Sequence, residues 1–231
     1  MIGISESLRG AFMLAKFDKR GLGAFDGTVA SARASFRVVW PLIGFYLVMA
    51  AIIFALMSAN AGDGALENAV ESTVNSTIDE SGVATSEQAG IDDMTALKVA
   101  ALLVLSQVIS WLGLIALMHA LLNKAGVGHR VNTVIATYNW TLFWRKALEA
   151  LPLVVAAAGI GAGGGVAFLQ FAIMVYSLVY LYFSMKIALE GRGFDASLIM
   201  FLEIILALMV PMMAFQSDPA AFQAVLQASQ G

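Results

Sequence analysis

An apolar segment long enough to cross a lipid bilayer lies near the start of this chain, at residues 38–58. It is 21 residues long and contains no charged side chain. About 20 apolar residues are enough to span the hydrocarbon core as an α-helix. Inside lipid the backbone must satisfy its own hydrogen bonds, so the segment is predicted to be a transmembrane helix of an all-α integral membrane protein.

The charges on the two sides of this segment have opposite signs. The basic residues that precede it are Arg9, Lys16, Lys19, Arg20, Arg33 and Arg37. The stretch 59–95 that follows carries eight acidic residues and no lysine or arginine. Basic flanks tend to stay in the cytoplasm, so the N-terminus is predicted to be cytoplasmic and residues 59–95 to form an acidic external loop.

Composition supports a membrane protein and limits the chemistry available to it. Apolar residues make up 60% of the chain and charged residues 13%, whereas soluble domains are nearer one quarter charged. The chain has no cysteine, which excludes disulfides and thiol catalysis, and its two histidines are too few for a histidine-rich metal site. No catalytic triad or paired catalytic carboxylates are recognisable, so we expect no enzyme activity, no cofactor, no metal and no nucleic-acid partner.

The remaining apolar runs predict a bundle of five transmembrane helices. The five predicted spans are about 38–58, 97–122, 147–161, 166–189 and 196–215. The domains follow as a cytoplasmic or interfacial amphipathic segment at 1–37, the transmembrane domain at 38–215 and an external interfacial tail at 216–231. The stripe Ile4, Leu8, Ala11, Phe12 and Ala15 predicts that the first helix lies on the membrane surface or covers the ends of the bundle.

The third predicted span is short because charged residues interrupt the sequence just before it. A free charge at the bilayer centre costs several kcal/mol, so we expect Arg145 to lie at the inner headgroups. Trp140 and Trp144 are then expected in the interfacial aromatic belt. Arg33 and Arg37 are likewise expected at the inner interface, where they can meet anionic lipid.

Small residues on the second span predict close helix packing. Ser106, Ser110 and Gly113 lie on one helical stripe, with Gln107 beside them. Small side chains allow another helix to approach, and a glutamine amide can hydrogen-bond across the contact. We favour packing over a transport path for this stripe.

Two groups of polar residues within the apolar segments are candidates for buried sites. Glu203 lies about two turns into the fifth span, at a depth near that of His119, so the two could form a proton relay or a single structural hydrogen bond. Asn139, Arg145 and Glu149 form the second group. Arg145 and Glu149 are four residues apart, which predicts an ion pair within one helix. For both groups we favour the structural interpretation.

Three short motifs give the chain a familiar appearance. They are Phe25-Asp26-Gly27 leading to Ser35-Phe36 and Trp40-Pro41, then Tyr138-Asn139-Trp140-Thr141, then Val179-Tyr180-Leu181-Tyr182-Phe183. With these motifs the chain resembles a group of alphaproteobacterial five-span inner-membrane proteins, and it is distantly similar to the Yip1-like membrane family. The resemblance implies a multi-pass protein of the bacterial inner membrane with a cytoplasmic N-terminus, and it supplies no catalytic residues.

These features together predict a non-enzymatic accessory or scaffold protein. It would associate with membrane lipids and with other membrane proteins or itself. An odd number of spans places the C-terminus in the periplasm. The alternatives are a small proton-coupled transporter or channel that uses His119 and Glu203, or a Yip1-like module that shapes membranes.

Overall fold

The structure, a computed structural model, describes residues 3–46, 48–49, 93–158 and 164–217. These residues are helices and short connections, with no β-strand among them. About half of the predicted first span, nearly all of the acidic loop at 59–95 and most of the tail at 216–231 lie outside the described residues.

The N-terminal region is a series of short helices. They are α1 (Ile4–Ala15), a 3-10 helix (Lys19–Ala24), α2 (Val29–Ser35), a second 3-10 helix (Phe36–Val38) and α3, whose described residues are 39–46 and 48–49. Side chains start two of them. Asp18 accepts a hydrogen bond from the Arg20 amide, and the Thr28 hydroxyl oxygen accepts one from the Ser31 amide. Both are typical N-cap contacts.

The second half of the chain consists mainly of long helices. They are α4 (Asp93–Lys124), a 3-10 helix (Gly128–Arg130), α5 (Val131–Glu149), α6 (Leu151–Ala157), α7 (Gly164–Ala188) and α8 (Gly193–Ser217). The turn between α7 and α8 depends on Gly191, which has a φ of 92° and donates its amide to the Lys186 carbonyl at 2.7 Å. A glycine in this conformation ends a helix without steric cost.

Three of the described helices are long and apolar enough to cross a membrane. Their candidate spans are Val104–Lys124, Gly165–Ala188 and Gly193–Ala214, which marks the chain as a membrane protein. They correspond to the second, fourth and fifth predicted spans. The segment of the third predicted span, 147–161, is divided between the end of α5 and the short helix α6. The five-span count therefore goes beyond what the described residues contain.

One end of the bundle gathers the ends of four helices, and we call it the basic end. It carries Lys124, His129, Arg130, Lys186 and Arg192. An ion pair between Arg130 and Glu190 joins the start of α5 to the end of α7. At 1.5 Å per residue, the 25 residues of α7 reach about 37 Å away from this end. Helix α5 therefore starts at the basic end, and α7 starts at the opposite end.

Helix α5 forms the centre of the bundle. It packs against α1, α2, α4 and α7, and twelve of its nineteen residues are buried. Its buried residues include the polar Asn139 and Arg145. Burying a polar group costs free energy unless it is hydrogen-bonded, so these side chains point to contacts that fix α5 in place.

Helix α1 packs against the bundle with a different face from the predicted one. Its buried residues are Ser7, Gly10, Ala11, Leu14 and Ala15. Ile4 and Phe12, which belong to the predicted apolar stripe, are exposed. The predicted stripe is therefore divided, because small residues allow α1 to approach its neighbours more closely than Ile4 and Phe12 would.

Hydrogen bonds from aromatic residues hold α1 on α5 and α7. Trp144 donates its indole N–H to the Leu8 carbonyl at 3.1 Å. The Tyr180 hydroxyl donates to the Ala11 carbonyl at 2.7 Å, and Tyr176 donates to the Ala15 carbonyl. The three accepting carbonyls are spaced three and four residues apart, so they lie along one face of α1.

Candidate functional site

Asn139 is the centre of a buried polar network. Its Oδ1 accepts a hydrogen bond from the Trp111 indole at 3.0 Å, and its Nδ2 donates to the Ser35 hydroxyl oxygen at 2.8 Å. The Ser35 hydroxyl donates in turn to the Ala32 carbonyl at 2.6 Å. Asn139 and Ser35 are both fully buried. One amide side chain on α5 thus binds α4 and α2 simultaneously.

A second contact is an ion pair between α5 and α8. The Arg145 Nη1 lies 2.8 Å from Glu203 Oε1 and 3.1 Å from Oε2. Only 6% of the Arg145 side chain and 16% of the Glu203 side chain is exposed. The buried Tyr138 lies close enough to interact electrostatically with both groups. The pair joins two helices that are far apart in sequence.

The predicted pairing of Glu203 with His119 is wrong. His119 is exposed on α4, and its Nδ1 lies 3.3 Å from the Asn123 amide nitrogen. The register of α4 against α8 explains why His119 and Glu203 do not meet. Ser110 donates a hydrogen bond to the Leu206 carbonyl, so these two residues lie at the same position along the bundle. From that contact His119 lies nine residues toward the basic end and Glu203 only three. At 1.5 Å per residue they are offset by about 9 Å along the bundle.

The predicted ion pair between Arg145 and Glu149 is also wrong. Glu149 is exposed and bonds to Lys146, whose Nζ lies 2.6 Å from its Oε2. Arg145 is buried, so its charge requires a partner that is buried with it, and Glu203 provides one. Its Nε has no hydrogen-bond partner among the described residues.

The two tryptophans that were expected at the interface lie in different environments. Trp140 is only 3% exposed and belongs to the protein core, and its depth in the membrane stays a prediction. Trp144 is half-buried and stacks with Phe12 at a centroid distance of 5.2 Å. Arg33 and Arg37 are both exposed.

The small-residue stripe of α4 lies mainly against α8. Ser106 and Ser110 are buried, and Ser110 donates to the Leu206 carbonyl at 3.3 Å. A Cβ atom on Gly113 would lie 4.0 Å from Leu206 Cδ1, which is ordinary contact distance. Gln107 is half-buried. The stripe thus contributes to a close approach of the two helices.

Several residues of the network were not selected as site residues from the sequence. Trp111 and Ser35 give no local signal, because their roles depend on helices distant in the chain. Tyr176 and Tyr180 do share a four-residue spacing within an apolar helix, which indicates a common polar face. Across the described ranges no three histidine or acidic residues come together as metal ligands.

No protein-family model, curated protein or solved structure matches the chain. Conclusions about function therefore depend on the geometry of the bundle itself. Buried polar contacts join α2, α4, α5 and α8, and hydrogen bonds from aromatic side chains hold α1 against α5 and α7.

Proposed function

We propose that this protein is a non-enzymatic membrane scaffold or accessory protein that associates with other membrane proteins or with itself. The observation that carries the proposal is that polar side chains join the helices to each other, whereas apolar side chains remain exposed on the outside of the bundle. Asn139 and Arg145 bond from α5 to other helices, while long apolar faces remain uncovered. The buried hydroxyls of Thr137, Ser177 and Ser184 have no hydrogen-bond partner among the described residues.

The polar contacts are suited to holding helices rather than to moving a ligand. Arg145 and Glu203 neutralise each other, and Asn139 uses both its oxygen and its nitrogen in hydrogen bonds. A proton-coupled transporter would need titratable groups along an accessible route. His119 is exposed and lies apart from Glu203, so no specific observation favours that alternative.

The uncovered surface of α8 offers the best contact for a partner helix. Leu208, Met209, Met212 and Met213 form one face, which we call the methionine face, and their exposed fractions range from 54% to 66%. Methionine side chains are flexible and adapt to different packing partners. In lipid, helices associate by van der Waals packing, so an adaptable surface of this kind favours association.

The proposal includes a five-span topology in the bacterial inner membrane, with the basic end and the N-terminus in the cytoplasm and the C-terminus in the periplasm. Two observations support it. Helix α5 starts at the basic end and α7 starts at the opposite end, so α5 and α6 would form a crossing between α4 and α7. The cations at the basic end agree with the cytoplasmic bias of lysine and arginine.

Site-directed crosslinking in native membranes tests the scaffold proposal. The chain has no cysteine, so Met212→Cys can carry a photoreactive maleimide at the centre of the methionine face. We expect discrete crosslinked bands, identified by mass spectrometry as another membrane protein or a second copy. Phe168→Cys on α7, at a residue that is 74% exposed, is the matched control and should give mainly lipid adducts. Lipid adducts alone at both positions would refute the proposal.

A further inference from the structure

The buried contacts of α4, α5 and α8 lie at nearly the same position along the bundle. Ser110 of α4 meets Leu206 of α8, and Trp111, the next residue of α4, binds Asn139. Glu203 is three residues from Leu206, which is about 4.5 Å along a helix. Asn139 and Arg145 are six residues apart on α5, which is about 9 Å. The Asn139 network and the Arg145–Glu203 pair therefore lie within about two helical turns of each other, and we call this region the polar level.

Two exposed arginines lie on one side of the bundle at the polar level. Ser35 belongs to the network, and Arg33 and Arg37 on either side of it are exposed. Phe36 stacks with Trp111 at a centroid distance of 5.7 Å, which fixes this part of the chain beside α4. Trp40 follows and is 74% exposed. An exposed tryptophan next to arginines is typical of the membrane–water interface.

The turn after α1 brings more charges to the side of α7. The Phe17 ring lies 6.0 Å from the Tyr176 ring and 5.2 Å from the Phe183 ring. Its neighbours Lys16, Lys19 and Arg20 are exposed, and 83% of the Arg20 side chain faces solvent. Arg20 also holds the pKa of the Asp18 carboxyl below its usual range, so the turn keeps its charges. Such a turn is unfavourable within hydrocarbon.

The exposed surface of α4 and α7 becomes less apolar near the same position, although Leu117 on α4 is 38% exposed. Helix α8 does not share this change, because Phe194 and Phe201 on the basic side of Glu203 are 82% and 57% exposed. On α4 the large exposed apolar residues up to the polar level are Val104, Leu105, Val108, Ile109 and Leu112, each between 42% and 55% exposed. Beyond it the exposed residues include His119, Asn123 and Lys124. On α7 the exposed residues end at Val179, and residues 180–189 are buried or half-buried.

The length of α4 agrees with a membrane boundary at this position. Its 32 residues span about 48 Å, whereas the hydrocarbon core is about 30 Å thick. Residues 93–112 alone would fill about 30 Å. About twelve residues of α4 then project beyond the membrane on the basic side, where its exposed surface is more polar.

We propose that the bilayer boundary crosses the bundle at the polar level, and that the exposed cations there form a binding surface for anionic phospholipid headgroups. These cations are Lys16, Lys19, Arg20, Arg33 and Arg37. The ends of α4, α7 and α8 beyond the polar level, including Lys124 and Arg192, then stand in water. The inference goes beyond the scaffold function and does not depend on it.

The competing arrangement places the boundary at the helix ends, as length and composition alone indicate. Lys124 and Arg192 would then meet the headgroups. Arg33 and Arg37, which lie beside Trp111 and about 20 Å from the end of α4, would then face hydrocarbon. The two arrangements differ in which residues of α4 contact water, and this can be measured.

A cysteine series along α4 locates the boundary. Val108, Leu112, Ala116 and Ala120 are all exposed and lie four residues apart on one face. Each is changed to cysteine in the full-length protein, reconstituted in nanodiscs and treated with a charged, water-soluble maleimide. We expect Ala116→Cys and Ala120→Cys to react and Val108→Cys to be protected. Protection of Ala116→Cys would overturn the proposal. Complete reaction of all four variants in SDS is the control.

Charge variants test the headgroup contact. The rise in Tm between nanodiscs of phosphatidylcholine and nanodiscs that also contain phosphatidylglycerol is measured for each protein. We expect Arg33→Gln/Arg37→Gln to lose most of this rise and the matched control, Lys124→Gln/Arg192→Gln, to retain it. Because each variant is compared with itself in two lipids, intrinsic effects on stability cancel. Any result other than a selective loss in the Arg33/Arg37 variant would overturn the proposal.

Discussion

At the scale of single residues, the most consequential contact is the ion pair between Arg145 and Glu203. Both side chains are removed from solvent, so each charge depends on the other for compensation. A buried ion pair adds little net stability relative to apolar residues of similar size, but the loss of one partner is costly. The pair therefore specifies how α5 and α8 meet more than it strengthens the bundle.

Removing one charge of this pair should destabilise the protein more than removing both. We expect Glu203→Gln or Arg145→Met to cost about 3–5 kcal/mol, since either leaves one buried charge without a partner. Arg145→Met/Glu203→Leu should recover most of that loss. The free energy of unfolding is measured in mild detergent for the original protein, both single variants and the double variant, which completes the double-mutant cycle.

The Lys146–Glu149 pair is the matched control because it lies at the surface of the same helix. Changes to it should cost no more than about 1 kcal/mol, as for other exposed ion pairs. A Glu203→Gln variant as stable as the original protein would contradict the buried pairing. Such a result would be expected if Glu203 were bonded only to a neutral group.

At the scale of elements, α1 depends on two glycines that allow close backbone contact. A Cβ on Gly10 would lie 2.4 Å from Ala24 Cβ and 2.8 Å from the Gly21 carbonyl oxygen. A Cβ on Gly21 would lie 2.3 Å from the Gly10 carbonyl oxygen. Backbone atoms cannot yield as the end of a flexible side chain can. The 3-10 helix after α1 is therefore held directly against it.

Gly10→Ala should loosen α1 from the bundle. Alanine is favoured over glycine inside a helix by about 1 kcal/mol, but the overpacking at this contact should cost about 1–3 kcal/mol. Because the close contacts include a backbone oxygen, we expect a net loss of stability. Faster amide hydrogen exchange across residues 4–15 would report it.

Gly23→Ala is the control for this prediction. It lies in the 3-10 helix after α1, and no atom lies within 4 Å of the position that its Cβ would occupy. We expect its exchange rates to match those of the original protein. Equal protection of α1 in both variants would show that the Gly10 contact does not hold the helix.

At the scale of the whole molecule, the helix ends define two sides of the bundle. The ion pair between Arg130 and Glu190 brings the start of α5 and the end of α7 together at the basic end. Ala158, which follows α6, belongs to the segment that leads away from that end. We therefore expect Ala158 to lie on the opposite side of the membrane from the basic end, although α5 and α6 do not form one long apolar helix.

Labelling from the two sides of the membrane should separate these positions. We expect Asn123→Cys and Arg192→Cys to react in inside-out vesicles, because both lie at the basic end, which we propose to be cytoplasmic. Ala158→Cys should react in intact spheroplasts, since α5 starts at the basic end and α7 starts at the opposite end. Labelling of Ala158→Cys from the same side as Asn123→Cys would contradict a crossing by α5 and α6.

Local sequence patterns could predict the helices but not their partners. Hydrophobic runs predicted the three candidate spans in α4, α7 and α8 to within several residues at their ends. The hydrophobic runs could not predict which buried polar residues would bond to each other. His119 and Glu203 seemed to match in depth, but a difference of six residues in helix register moves them about 9 Å apart.

The amino-acid sequence was sufficient to predict a helical membrane protein, because apolar segments of this length must form hydrogen-bonded helices in lipid. It also identified Asn139, Arg145 and Glu203 as unusual, since polar groups in such segments are costly. The packed bundle was needed to find that Asn139 binds Trp111 and Ser35, and that Arg145 binds Glu203. Those pairings depend on helix register, rotation and crossing, which arise from packing over residues far apart in the chain.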